Sequence, residues 1–128
     1  MEKVVLVVDD SATVRKFVAA ALNMKGFRVI TASDGIEALE RMPSEKFDLI
    51  ITDLNMPDMD GYELIKSIRE TPEYRDIPII VLSSMTDLKN KDLAMESGAL
   101  AFLEKPLSTE IIQREVFKFL NKTSMGTI

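Results

Sequence analysis

Acidic side chains follow short apolar segments at two places in the chain. Asp9 and Asp10 come directly after the apolar run Val4–Val8, and Asp53 comes directly after Leu49–Thr52. Two carboxylates about 4 Å apart repel each other by roughly 4 kcal/mol at an effective dielectric constant of 20. Such repulsion is large beside the roughly 5–15 kcal/mol that stabilises a domain. A divalent cation turns the repulsion into attraction, so the pattern favours a metal site if the three acids meet.

The simpler alternative is that these acids only cap helices and turns. Asp9 or Asp10 can cap a helix in "SATVRKF", and Asp53 can serve the turn before "LNMPDMDG". If a metal is bound, carboxylate and carbonyl oxygens with several waters suit Mg²⁺ or Mn²⁺ better than Ca²⁺, which takes more oxygen ligands. The sequence also lacks the regular acid spacing of an EF-hand loop, so Mg²⁺ or Mn²⁺ is the expected ion.

Hydroxyl and amine side chains follow two further apolar runs. Ser83 and Ser84 close the fourth run, and Lys105 follows the fifth. A lysine at a strand end is most often a solvated charge, but opposite an acid cluster it can hold an oxyanion together with the Ser83 hydroxyl. Carboxylates, a hard cation, a hydroxyl and an amine are the groups that phosphoryl transfer uses, with an aspartate as the nucleophile.

The composition excludes several other chemistries. The 128 residues contain no cysteine and no histidine, which rules out disulfides, thiolate or histidine metal sites, a serine–histidine triad and a phosphohistidine. The net charge of −5, without a lysine or arginine cluster, argues against nucleic-acid binding. No apolar run approaches the roughly 18 residues of a membrane helix, and no signal peptide is evident. We therefore expect one cytoplasmic domain that binds neither nucleic acid nor membrane.

Short apolar runs alternate with amphipathic stretches along the whole chain. The runs predict five strands: Val4–Val8, Arg28–Thr31, Leu49–Thr52, Ile79–Leu82 and Ala101–Leu103. Alternation of strands and helices predicts a doubly wound parallel α/β sheet with helices on both faces. Ligands of such sheets bind beyond the carboxyl ends of the strands. The acids, Ser83 and Lys105 all lie at predicted strand ends, so we expect them to meet at one edge.

The segments between the strands carry helix signals. Apolar residues at helical spacing mark three core faces: Val14, Phe17, Val18, Ala21 and Leu22; Leu64, Ile65 and Ile68; and Ile112, Val116, Phe119 and Leu120. Asp34 with Glu37 and Asp60 with Glu63 are typical of helix starts, whereas Gly26 and Gly98 are typical of helix ends. The segment 88–97 has the weakest apolar stripe. The tail 123–128 has little to bury, and we expect it to fray.

Five segments together resemble the receiver domain of bacterial response regulators of the CheY-like type. They are "VLVVDDSATVRKF", "TASDGIEAL", "DLIITDLNMPDMDGYEL", "IPIIVLSS" and "GALAFLEKPL", and the resemblance covers residues 3–121. The acidic doublet, the strand-ending aspartate before "MPDMDG" and the Lys-Pro pair are specific in combination. The resemblance implies a receiver domain at residues 1–122. It also implies a flavodoxin-like five-stranded sheet of order 2-1-3-4-5, an order that comes from the family and not from the sequence pattern.

The resemblance also implies a phosphorylation site and a metal site. Asp53 matches the residue that accepts a phosphoryl group from the phosphohistidine of a partner kinase. Asp10, Asp53 and the backbone carbonyl of Asn55 match the Mg²⁺ ligands, and Asp9 matches an acid that acts through a bound water. The lack of histidine in this chain agrees with a donor histidine on another protein.

Three further residues match the family's phosphoryl contacts and switch. Ser83 matches the hydroxyl that turns toward the phosphoryl group, and Lys105 matches the amine that contacts it. Phe102 matches the aromatic residue whose rotamer follows that movement, although an aromatic residue on a strand more often belongs to the core. A tyrosine is common at this position, so a switch that uses a phenolic hydroxyl is not expected here. Met85 stands where relatives often have an acid that, with the residue at Asn55, tunes hydrolysis.

The favoured function is a two-component response regulator that acts as a phosphorylation switch and not as a metabolic enzyme. We expect it to catalyse its own phosphorylation and dephosphorylation weakly. The donor would be a histidine kinase or a phosphotransfer protein. The target would be a protein, such as a flagellar motor switch component, bound by the surface of the fourth helix, last strand and last helix. The "DDSATVRKF" start, and a length that leaves no effector domain after Ile128, favour chemotaxis.

Two other functions remain open from the sequence. A Mg²⁺-dependent phosphohydrolase with an aspartyl nucleophile usually carries a second aspartate two residues further on, where this chain has Asn55. A receiver-like adaptor that is never phosphorylated would be expected to have lost its acid cluster.

Overall fold

The protein is an α/β domain in which five parallel strands form one sheet between two layers of helices. In the computed structural model, residues 2–56, 58–83 and 88–120 are described, with backbone alone at 88–90. The strands are β1 Val4–Val8, β2 Arg28–Ala32, β3 Leu49–Asp53, β4 Ile79–Ser83 and β5 Ala101–Glu104. The helices are α1 Ala12–Asn23, α2 Gly35–Arg41, α3 Gly61–Glu70, α4 Leu88–Ser97 and α5 Thr109–Leu120, with a short 3-10 helix at Met42–Ser44.

The strands are ordered β2-β1-β3-β4-β5, and every neighbouring pair is parallel. This confirms the predicted fold class and strand order. β1, β3 and β4 are buried at every position, as expected for continuous apolar runs covered on both faces. β2, β3, β4 and β5 each extend one residue beyond the predicted end. Asp53 and Ser83 are therefore the last residues of β3 and β4.

Alternate residues of each strand pack into two separate apolar layers. One layer joins the sheet to α2, α3 and α4 through Ala38, Leu64, Ile65, Ile68 and Ala94. The other joins it to α1 and α5 through Val18, Ala21, Leu22, Ile112, Val116 and Leu120. Both faces of the sheet are thus covered, and the polar side chains of the buried strands β3 and β4 lie at their carboxyl ends.

The predicted helix ends are confirmed. Asp34 and Asp60 accept hydrogen bonds from the backbone N–H groups of Glu37 and Glu63 at 2.8 and 2.9 Å. The backbone of Gly26 (φ +85°) and of Gly98 (φ +119°) is left-handed. The two hydrogen bonds fix where α2 and α3 begin, and the two left-handed glycines mark where the chain leaves α1 and α4 and turns back to the sheet.

One predicted core position is wrong, and the prediction for α4 is confirmed. Phe17 was placed on the core face of α1, but 39% of its surface is exposed because it lies at the edge of that face. The weak stripe of α4 is confirmed, since Ala94 is its only buried residue among the side chains described at 91–97. Ser84, Met85 and the predicted frayed tail lie outside the described residues. No helix in the described part of the chain is long and apolar enough to span a membrane.

Candidate functional site

Asp9 lies in the turn between β1 and α1, and the fold buries it completely. Ser11 caps α1, because its hydroxyl accepts a hydrogen bond from the backbone N–H of Val14 at 3.3 Å. The Ser11 backbone N–H donates to Asp9 Oδ1 at 2.9 Å. The backbone N–H of Asp9 donates to the carbonyl of Ala32 at 3.1 Å, which ties the turn to β2. The acidic doublet is therefore built into the sheet edge, and the next residue, Asp10, is exposed there.

Asp53 ends β3 and is 5% exposed. Its Oδ1 accepts a hydrogen bond from the backbone N–H of Leu54 at 2.8 Å. The hydroxyl of buried Thr52 donates to the Asp53 carbonyl at 2.9 Å. These bonds hold the Asp53 backbone and one of its carboxylate oxygens in place.

Gly61, at the start of α3, packs against the backbone that carries Asp53. Its N–H donates to the carbonyl of Leu54 at 3.0 Å. A Cβ atom at this position would lie 2.3 Å from the Asp53 carbonyl oxygen and 2.8 Å from the Leu54 Cα. Only glycine allows this approach. No role for Gly61 is predicted from the sequence, where the only indication of this contact is that a glycine ends the motif "MPDMDG".

Lys105 follows β5 and reaches across the sheet edge to both buried acids. Its backbone N–H donates to the Ser83 carbonyl at 2.7 Å, which fixes the lysine beside the end of β4. Its Nζ lies 3.0 Å from Asp9 Oδ2 and 3.5 Å from Asp53 Oδ2. The peptide bond from Lys105 to Pro106 is cis. The lysine is thus an ion-pair partner of two acids and not a solvated charge.

The electrostatic state of the pocket reflects burial and these charges. Burial raises the pKa of Asp53, and the neighbouring Asp9 carboxylate raises it further, whereas Lys105 and two backbone N–H groups act in the opposite direction without cancelling the shift. Burial alone would lower the pKa of Lys105, but its hydrogen bond to Asp9 and the charges of both acids outweigh burial and raise it. An additional cation in the pocket would therefore lower the pKa of Asp53 and favour its ionised form.

The three predicted acids meet. One carboxylate oxygen each from Asp9, Asp10 and Asp53 lies within 4.8 Å of the others, so together they can hold a metal ion. The donor set is all oxygen, and Asp10 is open to solvent, which leaves room for water ligands. Oxygen donors with retained waters are what Mg²⁺ and Mn²⁺ prefer, so the residues present fit such an ion.

The three remaining predicted residues lie on or just after the strands β3, β4 and β5. Ser83 is fully buried, and among the described residues its hydroxyl is the one buried side-chain polar atom without a hydrogen-bond partner. Asn55 is exposed two residues after Asp53, and its backbone N–H bonds to the Asp53 carboxylate. Phe102 pairs with Val81 in the sheet register and is partly buried against the apolar layer under α3 and α4. The roles of these three residues stay predictions.

The five-stranded parallel sheet of order 2-1-3-4-5 agrees with comparisons with known proteins. A family model described as the response regulator receiver domain matches residues 5–117. The chain belongs to this family. Receiver domains are the response-regulator modules of two-component systems, so this broad assignment is confirmed.

Similar receiver domains occur in proteins of several kinds. The structure of the chemotaxis response regulator CheY4 of Vibrio cholerae has a TM-score of 0.88 at 37% identity, covering 94% of this chain and 100% of that one. The probable transcriptional regulator ycf27 of Guillardia theta is 38% identical over 120 residues, or 94% of this chain and 46% of that protein. The CAI-1 autoinducer sensor kinase/phosphatase CqsS of Vibrio cholerae is 36% identical over 116 residues, or 90% of this chain and 17% of that protein. This chain thus spans about half, or less, of the curated relatives that it matches.

Proposed function

We propose that this receiver domain is a Mg²⁺-dependent phosphorylation switch whose acceptor is Asp53. The observation that carries the proposal is the meeting of Asp9, Asp10 and Asp53 within 4.8 Å, with Lys105 Nζ 3.5 Å from Asp53 Oδ2. Metal-binding acids beside a carboxylate and an amine are a phosphoryl-transfer site that needs no histidine of its own.

The chain's own residues supply the nucleophile and much of the charge neutralisation. A carboxylate oxygen of Asp53 forms the bond to phosphorus as the phosphorus–nitrogen bond to the donor's histidine breaks, and the imidazole keeps the electron pair. Lys105 neutralises negative charge on the phosphoryl oxygens, and the unpartnered Ser83 hydroxyl can donate a hydrogen bond to one of them. A bound Mg²⁺ would favour ionised Asp53 and stabilise charge on the phosphoryl group; Asp10, Asp53 and the Asn55 carbonyl would hold it, with Asp9 acting through water.

The signal would leave the pocket through Ser83. Its hydroxyl would turn toward the new phosphoryl group, and β5 lies beside β4, so Phe102 is placed to respond. The altered surface of α4, β5 and α5 would then bind a protein target. The donor would be a histidine kinase or a phosphotransfer protein in the cytoplasm. The similarity to a chemotaxis regulator supports a target in chemotaxis, whereas the similarity to a sensor kinase supports a phosphorelay.

The chemistry would be that of a switch and not of a metabolic enzyme. Asn55 stands where an aspartyl-nucleophile phosphohydrolase usually has its second aspartate, so we do not expect turnover of small phosphates. The intact acid cluster, in turn, argues against an adaptor that is never phosphorylated.

Incubation with acetyl phosphate and Mg²⁺ tests all three functions. We expect base-labile phosphate to approach one per chain, to require Mg²⁺, and to disappear in Asp53→Asn. Asp58→Asn is the matched control, because Asp58 is an exposed acid in the same loop and asparagine tolerates its left-handed backbone (φ +65°). Continuous phosphate release would instead indicate a hydrolase, and no incorporation would indicate an adaptor.

A second test detects metal binding through its effect on thermal stability. Any ion that binds only the folded chain stabilises it by about 1.4 kcal/mol at ten times its dissociation constant. We therefore expect millimolar Mg²⁺ to raise the melting temperature of the parent chain. A melting temperature that does not change with Mg²⁺ would contradict the metal site.

A further inference from the structure

Arg15 reaches back from α1 to the backbone of the acidic doublet. It is the fourth residue of that helix, and its backbone N–H donates to the Ser11 carbonyl at 3.0 Å. Its side-chain Nη1 donates to the backbone carbonyl of Asp9 at 2.7 Å. A short hydrogen bond from a charged guanidinium is among the stronger ones that a protein makes.

This bond completes the restraint of Asp9. The backbone N–H of Asp9 is bound to Ala32, Oδ1 accepts from Ser11, and Oδ2 accepts from Lys105. Arg15 occupies the carbonyl, so each polar group of this buried residue has a partner. Asp9 cannot turn without breaking several bonds at once.

Asp10 has no comparable restraint of its own. It is exposed, and no side chain or N–H group in the described part of the chain donates to its carboxylate. Its place in the cluster therefore depends on the backbone that carries it. The carbonyl that Arg15 holds belongs to the peptide bond between Asp9 and Asp10, so the guanidinium fixes the plane from which the Asp10 side chain projects.

We propose that Arg15 is a positioning residue for the metal site. By fixing the peptide bond between Asp9 and Asp10, it holds the Asp10 carboxylate next to those of Asp9 and Asp53. The inference rests on the proposed function, since it concerns the site that would take Mg²⁺. Without this restraint, the exposed carboxylate lowers its repulsion with the other two acids by turning toward solvent. Each binding event must then bring it back, and the affinity for the ion falls.

Calorimetric titration of the full chain with Mg²⁺ tests this role. Removal of a group that orients a metal ligand typically weakens binding 10–100-fold, so we expect Arg15→Gln to raise the dissociation constant about ten-fold. Arg15→Lys keeps the charge, but its ammonium group stands one bond closer to the backbone and is not planar, so it reaches the Asp9 carbonyl less well, and about a three-fold rise is expected. Lys16→Gln is the matched control: it removes one exposed positive charge next to Arg15 and should change the constant less than about two-fold, because salt screens exposed charges.

Amide chemical shifts supply a second readout that does not depend on the metal. In Mg²⁺-free spectra, the Asp10 and Ser11 amide signals should move in Arg15→Gln and stay in place in Lys16→Gln. If Arg15→Gln binds Mg²⁺ as tightly as the parent, or if Lys16→Gln weakens binding equally, the positioning role is wrong while the proposed function stands. If Arg15→Gln does not fold, an unchanged constant in Arg15→Lys overturns the role. If the parent binds no Mg²⁺, the proposed function and this inference both fail.

Discussion

Replacement of Gly61 by alanine tests whether the contact between α3 and β3 positions Asp53, the proposed phosphoryl acceptor. The added methyl group would lie 2.3 Å from the Asp53 carbonyl oxygen and 2.8 Å from the Leu54 Cα. Such atoms normally stay about 3.5 Å apart, so the start of α3 and the end of β3 must separate by roughly 1 Å. Gly61 does not have a positive φ, so alanine itself is not strained there.

The expected cost in stability follows from this overlap. Overpacking of a close contact costs about 1–3 kcal/mol, and replacing glycine in a helix returns at most about 1 kcal/mol. A net loss of about 1–2 kcal/mol is expected. With an unfolding entropy of about 2.1 cal/mol/K per residue over 128 residues, this lowers the melting temperature by about 4–7 °C. A displacement of up to 1 Å at a reacting group can slow its chemistry about 100-fold, so we expect phosphorylation of Asp53 to slow about 10–100-fold.

The assay is the initial rate of phosphate incorporation from acetyl phosphate in saturating Mg²⁺, together with a thermal melt. Gly26→Ala is the control, because a left-handed alanine costs about 1–2 kcal/mol while no atom beyond its two chain neighbours lies within 4 Å of the new Cβ. We expect a similar fall in melting temperature and an unchanged rate. Parental stability and rate in Gly61→Ala would refute the steric argument, and equal slowing in Gly26→Ala would show that stability, and not position, limits the rate.

Three further substitutions test the charges and the hydroxyl of the pocket. Burial and the Asp9 carboxylate raise the pKa of Asp53 above its usual value of 3.8, so the folded chain binds the Asp53 proton more tightly than the unfolded chain does. The protonated carboxyl therefore stabilises the fold below about pH 3.8. This contribution is lost as the pH rises through the pKa of Asp53 in the folded chain. In Mg²⁺-free urea unfolding, Asp53→Asn should thus gain stability relative to the parent from about pH 4 to neutrality; a constant difference would count against the raised pKa. Ser83→Ala removes a buried hydroxyl without a partner, so the free energy of unfolding should stay the same or rise by up to about 1 kcal/mol while phosphorylation slows; a clear loss of stability would show that the hydroxyl is already bonded. Lys105→Met leaves buried Asp9 without its cation, so the free energy of unfolding at neutral pH without Mg²⁺ should fall. A fall of about 1–3 kcal/mol is expected, a range already reduced for the partial exposure of the lysine. An unchanged free energy of unfolding would refute the ion pair.

Local patterns predicted most of the fold. Apolar runs located each strand to within one residue. The runs of β1, β3 and β4 are continuous, because a strand buried on both faces leaves few polar positions in its sequence. Gly26 and Gly98 marked left-handed turns that few other residues adopt cheaply. The meeting of Asp9, Asp53 and Lys105 followed from a general property of parallel sheets, in which the carboxyl ends of all strands share one edge.

The contacts that position the site could not be predicted in this way. Gly61 touches Asp53 only because α3 returns across the end of β3, and the distance involved is set by the whole fold. Nothing in the sequence distinguishes Arg15 from a solvent-exposed arginine, because its bond to the Asp9 carbonyl depends on the geometry of the turn between β1 and α1. Phe17 matched the apolar period of α1 but lies at the edge of the buried face, because periodicity gives a direction and not a depth.

The sparse packing of α4 has a consequence for how such domains diverge. Whereas α1, α3 and α5 each bury at least three residues, α4 buries Ala94 alone among its side chains at 91–97. Substitutions at its exposed positions, Leu93 and Met95 among them, should change the free energy of unfolding by about 0.5 kcal/mol or less. The exposed face of α4 can therefore diverge in sequence, and so in what it contacts, while both apolar layers and the acidic edge of the sheet are kept.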